Sequence, residues 1–112
     1  MSFKNVLCFG SLNPDLVYFI DKLPSPGGDI QSKKYFIRPG GTAINCAENI
    51  AMWEINTAVR GNSIGNDELG TYLVEHLNNL KIVHKDVIKD NTITPTCSIY
   101  IDESGERTII SS

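Results

Sequence analysis

An early carboxylate is the first residue of this sequence with the chemistry of a binding site. Asp15, together with Asn13, follows the apolar run 6–10 after a short turn. A carboxylate has two acceptor oxygens, and a vicinal diol presents two hydroxyl donors at a matching separation. Because hydrogen bonds to a charged acceptor are stronger than neutral ones, Asp15 is suited to hold a sugar. The alternative is an Asx turn, in which these side chains bond only to nearby backbone.

A pair of glycines in front of a helix is the second candidate. Gly40 and Gly41 lead into a helix-patterned run, in which Thr42 is placed to cap the first turn and Asn45 lies three residues further on. Glycine lets a ligand approach the backbone closely, and a helix N-terminus offers free N–H donors and a partial positive charge. Oxygen-rich ligands suit such a place. Taken alone, the same residues are also ordinary turn chemistry before a helix.

Strands and helices alternate along the sequence in the order that a parallel sheet requires. The runs 6–10, 57–60 and 86–89 predict short strands, the first of them buried on both faces. Helices are predicted over about 42–53 and 69–80, each with apolar side chains on one face. This rhythm predicts parallel strands joined by right-handed crossovers. The early carboxylate would then lie just beyond the carboxyl end of the first strand, where ligands of open α/β sheets bind.

Several residues that can take part in chemistry are assigned to the framework instead. Trp53 lies at helical spacing, which favours the core over a ligand platform. His76 has no carboxylate or second histidine at ligand spacing, so we interpret it as structural. Cys8, Cys46 and Cys97 lie in apolar or small-residue runs, which predicts buried, reduced thiols in a reducing compartment. No cysteine or histidine spacing indicates a metal site.

Composition narrows the classes of partner. The 112 residues carry a formal net charge of −3 without a cluster of basic side chains, which disfavours nucleic acid and anionic membranes. With 41% hydrophobic and 21% charged residues the composition is that of a globular protein, and no apolar segment is long enough to span a bilayer. We therefore expect one modest domain, or part of one, in the cytoplasm.

Four β-rich runs outside this alternation predict a second, smaller sheet. They lie at about 17–22, 30–38, 96–101 and 107–111. The second run is polar on both sides, which is typical of a sheet that stands away from the core. A short loop containing glycine joins the last two runs and predicts a hairpin. We expect strands from the two ends of the chain to pair in this sheet.

Four segments, taken in order, resemble the N-terminal part of the ribokinase (PfkB) family of carbohydrate and nucleoside kinases. They begin at Val6, Arg38, Gly61 and Ile99, and the likeness covers nearly all of the chain. The resemblance implies an α/β fold in which helices flank a parallel sheet and the small sheet forms a lid over the acceptor. It implies an ATP-dependent kinase that acts on a sugar hydroxyl. The alternatives are a nucleoside kinase and a non-catalytic module that binds sugar or dimerises.

The resemblance also implies which residues bind the acceptor. They are Asn13, Asp15, Gly40, Gly41, Thr42 and Asn45. One lid residue would close on the substrate, from among Cys97, Ser98, Ile99 and Tyr100. ATP and Mg²⁺ are implied as well, with binding residues mostly outside this chain, and the lid strands are a candidate homodimer interface.

Several features of the family are missing from residues 1–112. The resemblance implies a catalytic aspartate, a Gly-Ala-Gly-Asp anion hole and a nucleotide pocket in a C-terminal half, and none of them occurs here. Phosphoryl transfer requires positioned charge stabilisation and a base, so we expect no catalytic residue in this chain and no activity from it alone. The final β-rich run has no helix after it, which suggests the N-terminal part of a longer fold. Trp53-Glu54-Ile55 also replaces the Gly or Ser that is usual at the end of the first helix.

Overall fold

The computed structural model describes residues 5–85 and 87–112. Its strands are β1 Asn5–Gly10, β2 Asn13–Phe19, β3 Lys34–Gly40, β4 Asn56–Gly61, β5 Ile64–Gly65, β6 Ile88–Lys89, β7 Cys97–Ile101 and β8 Arg107–Ser111. Its helices are α1 Thr42–Ala51 and α2 Glu68–Asn79. The strand predicted over 86–89 is therefore present as β6 only, and Asp86 lies outside the described residues.

Two parallel strand pairs, each with a helix between its strands in the chain, form the α/β part of the molecule. β1 and β4 pair in a register that runs from Asn5↔Asn56 to Gly10↔Gly61. β5 and β6 also pair in parallel, with α2 between them in the chain. An isolated parallel bridge joins Ala58 to Val83. Because parallel strands need a crossover connection, the helices lie between them in the chain. The predicted α/β fold class is confirmed.

The hydrophobic core lies between the β1–β4 pair and the two helices. Its buried members are Cys8, Leu12, Ala43, Ile44, Ala47, Val59, Ile64, Leu73, Leu77, Ile82 and Val87. Within each helix these residues recur three or four positions apart, so that one face is apolar and packs inward. On α2 the outward face carries Glu75 and Asn78, as expected.

The other face of the β1–β4 pair is not covered within the described chain. Leu7 is 57% exposed and Phe9 is 80% exposed, whereas Cys8 between them is buried. Successive strand residues point to opposite sides of a sheet. The helices therefore cover the side of Cys8 and leave the side of Leu7 and Phe9 exposed. The prediction that the first strand is buried on both faces is therefore wrong for these residues.

A four-stranded sheet combines strands from both ends of the chain in the order β3-β2-β7-β8. β2 is antiparallel to β3 and parallel to β7, and β7 and β8 form the hairpin. Two strands differ from their predicted bounds: β2 begins at Asn13 instead of 17, and β3 begins at Lys34 instead of 30. The two strands pair from Asn13↔Gly40 to Phe19↔Lys34, so the paired segment reaches the glycine pair, which the predicted bounds did not include.

Trp53 is 80% exposed, so its predicted place in the core is wrong. α1 ends at Ala51, two residues before the tryptophan, and the chain then turns through Glu54 with a φ of 59°. The apolar stripe of the helix therefore stops before it reaches Trp53.

No helix in the described part of the chain is both long enough and apolar enough to cross a membrane.

The three cysteines occupy different environments. All are free thiols, but Cys8 is buried, Cys97 is half-buried and Cys46 is exposed, so burial is correctly predicted for only the first. Burial raises the pKa of the Cys8 thiol to about 11, with a smaller contribution from the neighbouring Cys46. Such a thiol is protonated and unreactive at neutral pH. The cytoplasm as the compartment stays a prediction.

His76 connects the two helices. Its Nε2 lies within hydrogen-bond distance of Glu48 Oε1 on α1. Both side chains are about one-third exposed or less. The contact is at the helix interface, and His76 does not line the cavity described below. This location agrees with the structural interpretation.

Candidate active site

Asp15 lies inside a strand, not in the turn that precedes it. It is the third residue of β2 and is 8% exposed. Its Oδ1 accepts a hydrogen bond from Asn13 Nδ2 at 2.9 Å, and its Oδ2 accepts one from Arg38 Nε at 3.1 Å. The Asx-turn alternative is therefore wrong. Since each carboxylate oxygen can accept about two hydrogen bonds, both retain capacity for a hydroxyl donor.

Gly40 lies directly against the Asp15 carboxylate. A Cβ atom at this position would be 2.5–2.7 Å from the three carboxylate atoms. Only glycine lets the backbone of β3 come this close to the charged group. Gly40 thus determines where the carboxylate sits, and it does not itself line the cavity.

Gly41 precedes α1 in a conformation that L side chains rarely adopt. Its φ is 93°, and an added Cβ would collide with the backbone of Ser11 and lie 2.9 Å from Asn13 Oδ1. Gly41 is the N-cap residue of α1, without a side-chain cap. The prediction that Thr42 caps the helix is therefore wrong, because the positive φ at Gly41 places Thr42 inside the first turn.

Ser11, in the turn between β1 and β2, bonds to the start of α1. The Thr42 N–H donates to Ser11 Oγ at 2.9 Å, and Thr42 Oγ1 accepts from the Ser11 N–H at 3.1 Å. The Ala43 N–H donates to the Ser11 carbonyl at 3.0 Å. These two helix donors are therefore already occupied, contrary to the expectation of free donors at this terminus. The exchange of bonds fixes the helix against the β1–β2 turn.

A cavity of about 600 Å³ opens between the start of α1 and the four-stranded sheet. Five of the six predicted acceptor-binding residues line it, namely Asn13, Asp15, Gly41, Thr42 and Asn45. The Asn45 side chain makes no hydrogen bond to the described residues, so its amide is free to bind a ligand. Of the four lid candidates, Cys97 and Ile99 line this cavity, and Tyr100 lines a second one on the opposite face.

The match to known proteins covers nearly the whole chain. Residues 4–112 match the family described as pfkB family carbohydrate kinase. The chain belongs to this family. The resemblance seen in the sequence is confirmed, and with it the ribokinase-like fold.

Solved ribokinases resemble this pfkB-family chain throughout its length. A ribokinase from Thermotoga maritima is 26% identical, with a TM-score of 0.83, and the match covers 99% of this chain and 36% of that one. A ribokinase from Arabidopsis thaliana, complexed with ribose and ATP, is 25% identical with a TM-score of 0.80. That match covers 100% of this chain and 36% of the other. A nucleoside kinase from Methanocaldococcus jannaschii is 22% identical and shares the fold, with a TM-score of 0.79. The match covers 97% of this chain and 36% of that one. The chain thus spans about a third of the length of these proteins.

Several residues that line the cavity were not predicted from the sequence, among them Arg38, Asn62 and Arg107. Arg38 and Arg107 both line it, from β3 and β8 respectively. Asn62 lines it too, and its side chain holds Leu12 by accepting from the Leu12 N–H at 2.8 Å and donating to the Leu12 carbonyl at 2.8 Å. Asn62 follows the end of β4, so a polar residue at a strand's carboxyl end was a usable signal. The two arginines gave no such signal, since their placement depends on strand register.

The charged side chains that line the cavity are one carboxylate and two guanidinium groups. Asp15 and Arg38 form an ion pair, in which the Arg38 side chain is 53% exposed and the Asp15 side chain 11%. Within residues 5–85 and 87–112 no three His, Cys, Asp or Glu side chains are grouped so as to hold a metal ion. The chemistry that this arrangement supports is binding a polyhydroxylated molecule, since its donors and acceptors match hydroxyl groups.

Proposed function

We propose that this chain forms the acceptor-binding and lid part of an ATP-dependent sugar kinase. In the reaction, a sugar hydroxyl oxygen attacks the γ-phosphorus of ATP, ADP leaves, and the hydroxyl proton passes to a base. The observation that carries the proposal is the oriented Asp15 carboxylate in a cavity of about 600 Å³, which is large enough to hold a sugar. Membership of a family of carbohydrate kinases supports it.

The residues of this chain would bind and orient the acceptor. Asp15 would accept hydrogen bonds from two neighbouring hydroxyls, while Asn13 and Arg38 hold its two oxygens in place. The free amide of Asn45 would bond to a further hydroxyl from the side of α1. Such positioning contributes to the rate because the reacting oxygen is held ready for in-line attack.

The four-stranded sheet would act as the lid. Its β7 contributes Cys97 and Ile99 to the cavity wall, so one of these two is the better candidate to close on the acceptor. Excluding water from the site would prevent loss of the phosphoryl group to hydrolysis.

The described residues do not fit a metal ion or a catalytic base. They contain no cluster of three metal ligands, and the carboxylate that lines the cavity, Asp15, is ion-paired with Arg38. From its membership of a family of carbohydrate kinases, we propose that ATP and Mg²⁺ are held mostly by residues outside this chain. Two of the solved ribokinases were obtained with ADP, or with ribose and ATP.

A nucleoside is the second candidate acceptor. The ribose of a nucleoside carries the same vicinal hydroxyls that Asp15 would bind, and a nucleoside kinase is among the structures with this fold. A non-catalytic module that binds sugar would use the same cavity without transferring phosphate.

We also propose a homodimer through the face of the four-stranded sheet that points away from the cavity. Tyr35, Tyr18 and Tyr100 stack there with ring centroids 5.8 and 5.3 Å apart. Ile110, on the same face, is 62% exposed. An exposed apolar and aromatic surface of this kind is typical of an interface, and a second copy would offer a self-complementary surface.

The test is turnover by the complete protein with a panel of sugars and nucleosides. ADP formation that depends on a sugar would support the main proposal, and formation that depends only on nucleosides would select the alternative. Sugar binding by calorimetry without any turnover would favour the non-catalytic module. Failure to bind or phosphorylate any compound in the panel would contradict the proposed function.

A further inference from the structure

The turn between β1 and β2 is held by a side chain from a distant part of the sequence. Asn62 Oδ1 accepts from the Leu12 N–H at 2.8 Å, and Asn62 Nδ2 donates to the Leu12 carbonyl at 2.8 Å. β1 ends at Gly10 and β2 begins to pair at Asn13, so the strand ladders of the described chain stop on either side of Leu12. Because a buried backbone group without a partner is costly, the amide of Asn62 replaces the missing ladder bonds.

The end of β4 lies directly against this turn. A Cβ atom on Gly61 would collide with the Gly10 carbonyl oxygen and would lie 2.8 Å from Leu12 Cδ1. Only glycine lets β4 come this close, and the Leu12 side chain is itself fully buried. The close approach places the next residue, Asn62, beside the backbone of the turn.

The same turn connects the start of α1 to the carboxylate of the site. On one side of Leu12, Ser11 accepts from the first turn of α1 through its hydroxyl and its carbonyl. On the other side, Asn13 Nδ2 donates to Asp15 Oδ1 at 2.9 Å. A displacement of Leu12 would therefore reach the Asp15 carboxylate through Asn13.

Asn62 lines the cavity, but its amide is used by the protein. An amide nitrogen has two hydrogens to donate, and Asn62 Nδ2 donates to the Leu12 and Ser63 carbonyls, at 2.8 and 3.1 Å. No donor of this side chain is left for a ligand. Asn62 therefore acts on the site through the turn that it holds.

We propose that Asn62 is a positioning residue for the acceptor, which holds the Asp15 carboxylate in its binding orientation through Leu12 and Asn13. This rests on the proposed kinase function and adds a residue that the acceptor need not touch. Loss of the Asn62 amide should weaken use of the acceptor and leave use of ATP unchanged.

The experiment is a double-mutant cycle in the complete protein, assayed with the best acceptor of the panel. The four proteins are the wild type, Asn62→Ala, Asp15→Asn and the double variant. In the wild-type background, Asn62→Ala should lower kcat/KM for the acceptor by roughly 10-fold, less than the order of 100-fold expected for a full displacement of about 1 Å. In the Asp15→Asn background the same change should cost less than about 2-fold, because the carboxylate that Asn62 positions is already absent.

A control on the preceding strand separates positioning from stability. Thr57, near the other end of β4, is 3% exposed and donates its hydroxyl to the Ile55 carbonyl at 2.8 Å. Thr57→Val removes this buried hydrogen bond, so it should lower the melting temperature while changing the acceptor kcat/KM by less than about 2-fold. Asn62→Asp keeps an acceptor for the Leu12 N–H, and it takes the place of Asn62→Ala in the cycle if the alanine variant does not fold.

Three results would overturn the inference. They are unchanged acceptor kinetics in the Asn62 variant, a loss of the same factor in both backgrounds, and a loss confined to the KM for ATP or to the melting temperature. In each case phosphorylation of the acceptor would still stand. Absence of phosphorylation with every acceptor would instead overturn the proposed function, and this role of Asn62 with it.

Discussion

The two faces of the four-stranded sheet are built from the same strands, yet their chemistry is opposite. One face presents an ion pair, Asp15 with Arg38, whose partners are fixed by hydrogen bonds. The other presents stacked rings, with Tyr18 between Tyr35 and Tyr100. Because consecutive strand residues point to opposite sides, one short sequence can serve a binding cavity and an apolar surface at once.

The difference between the faces lies in how closely their residues are constrained. On the cavity face, the Asp15 carboxylate is held by two donors and by the absence of a side chain at Gly40. On the opposite face, Ile110 and the tyrosine ladder are only partly covered. Substitutions on the first face should therefore affect acceptor use, and those on the second should affect assembly.

The largest effect, on kcat/KM for the acceptor, is expected from a small substitution that displaces the Asp15 carboxylate. Gly40→Ala would place a methyl group within 2.5–2.7 Å of the Asp15 carboxylate atoms, which must then shift. A displacement of about 1 Å costs on the order of 100-fold in rate, so kcat/KM for the acceptor should fall by about this factor. Steady-state kinetics of the complete protein measure it. Unchanged kinetics in a variant with wild-type melting temperature would contradict the proposed role of Gly40.

An intermediate effect, on dimer formation, is expected from a substitution on the tyrosine face of the four-stranded sheet. Ile110→Glu would put a carboxylate into the proposed dimer interface, and the dimer dissociation constant should rise at least about 10-fold because burying a charge is costly. The acceptor KM should change by less than about 2-fold, and Ile110→Leu should preserve the dimer. Analytical ultracentrifugation gives the result. A wild-type protein that is monomeric at micromolar concentration would rule out the interface.

The smallest effect is expected away from both faces of the sheet, at the N-terminus of α2. Asp67 caps α2 by accepting from the Gly70 N–H, and it also accepts from the Thr94 hydroxyl and N–H ahead of β7. The Thr94 hydroxyl and these N–H donors lower the pKa of Asp67 below its ordinary value. A lowered pKa stabilises the folded protein above the unfolded pKa of about 3.9, and this stabilisation is lost as pH falls through the folded value.

Asp67→Asn should therefore lower the melting temperature slightly at pH 7, and the difference from wild type should narrow below about pH 4. Thermal denaturation of the complete protein at both pH values tests this. A difference of the same size at both pH values would show that the charge of Asp67 is not responsible.

Local pattern predicted the α/β arrangement and some of the residues that line the cavity. The strand and helix rhythm predicted the parallel pairs, and the glycine pair marked the start of α1 beside the cavity. These features depend on residues close together in the chain, where turn and helix preferences act. The kinase family followed from the same segments.

Strand register, the end of the first helix and the uncovered side of β1 were not predicted. Asp15 meets Arg38 only because β2 and β3 pair in one register, and a shift of one residue would turn the arginine to the other face. Trp53 was misplaced because α1 ends at Ala51, and helix ends are poorly marked by hydrophobic spacing. Phe9 is exposed because the helices cover only one side of β1.

The most direct test of the central claim is a cycle that combines Asp15→Asn with removal of one hydroxyl from the acceptor. The best acceptor of the panel and its deoxy analogue are each assayed with the wild-type and variant forms of the complete protein. If Asp15 binds the diol, losing the hydroxyl should cost the wild type roughly 10- to 100-fold in kcat/KM and the variant much less. Equal losses in both proteins, for each hydroxyl of the diol, would mean that Asp15 does not contact the acceptor.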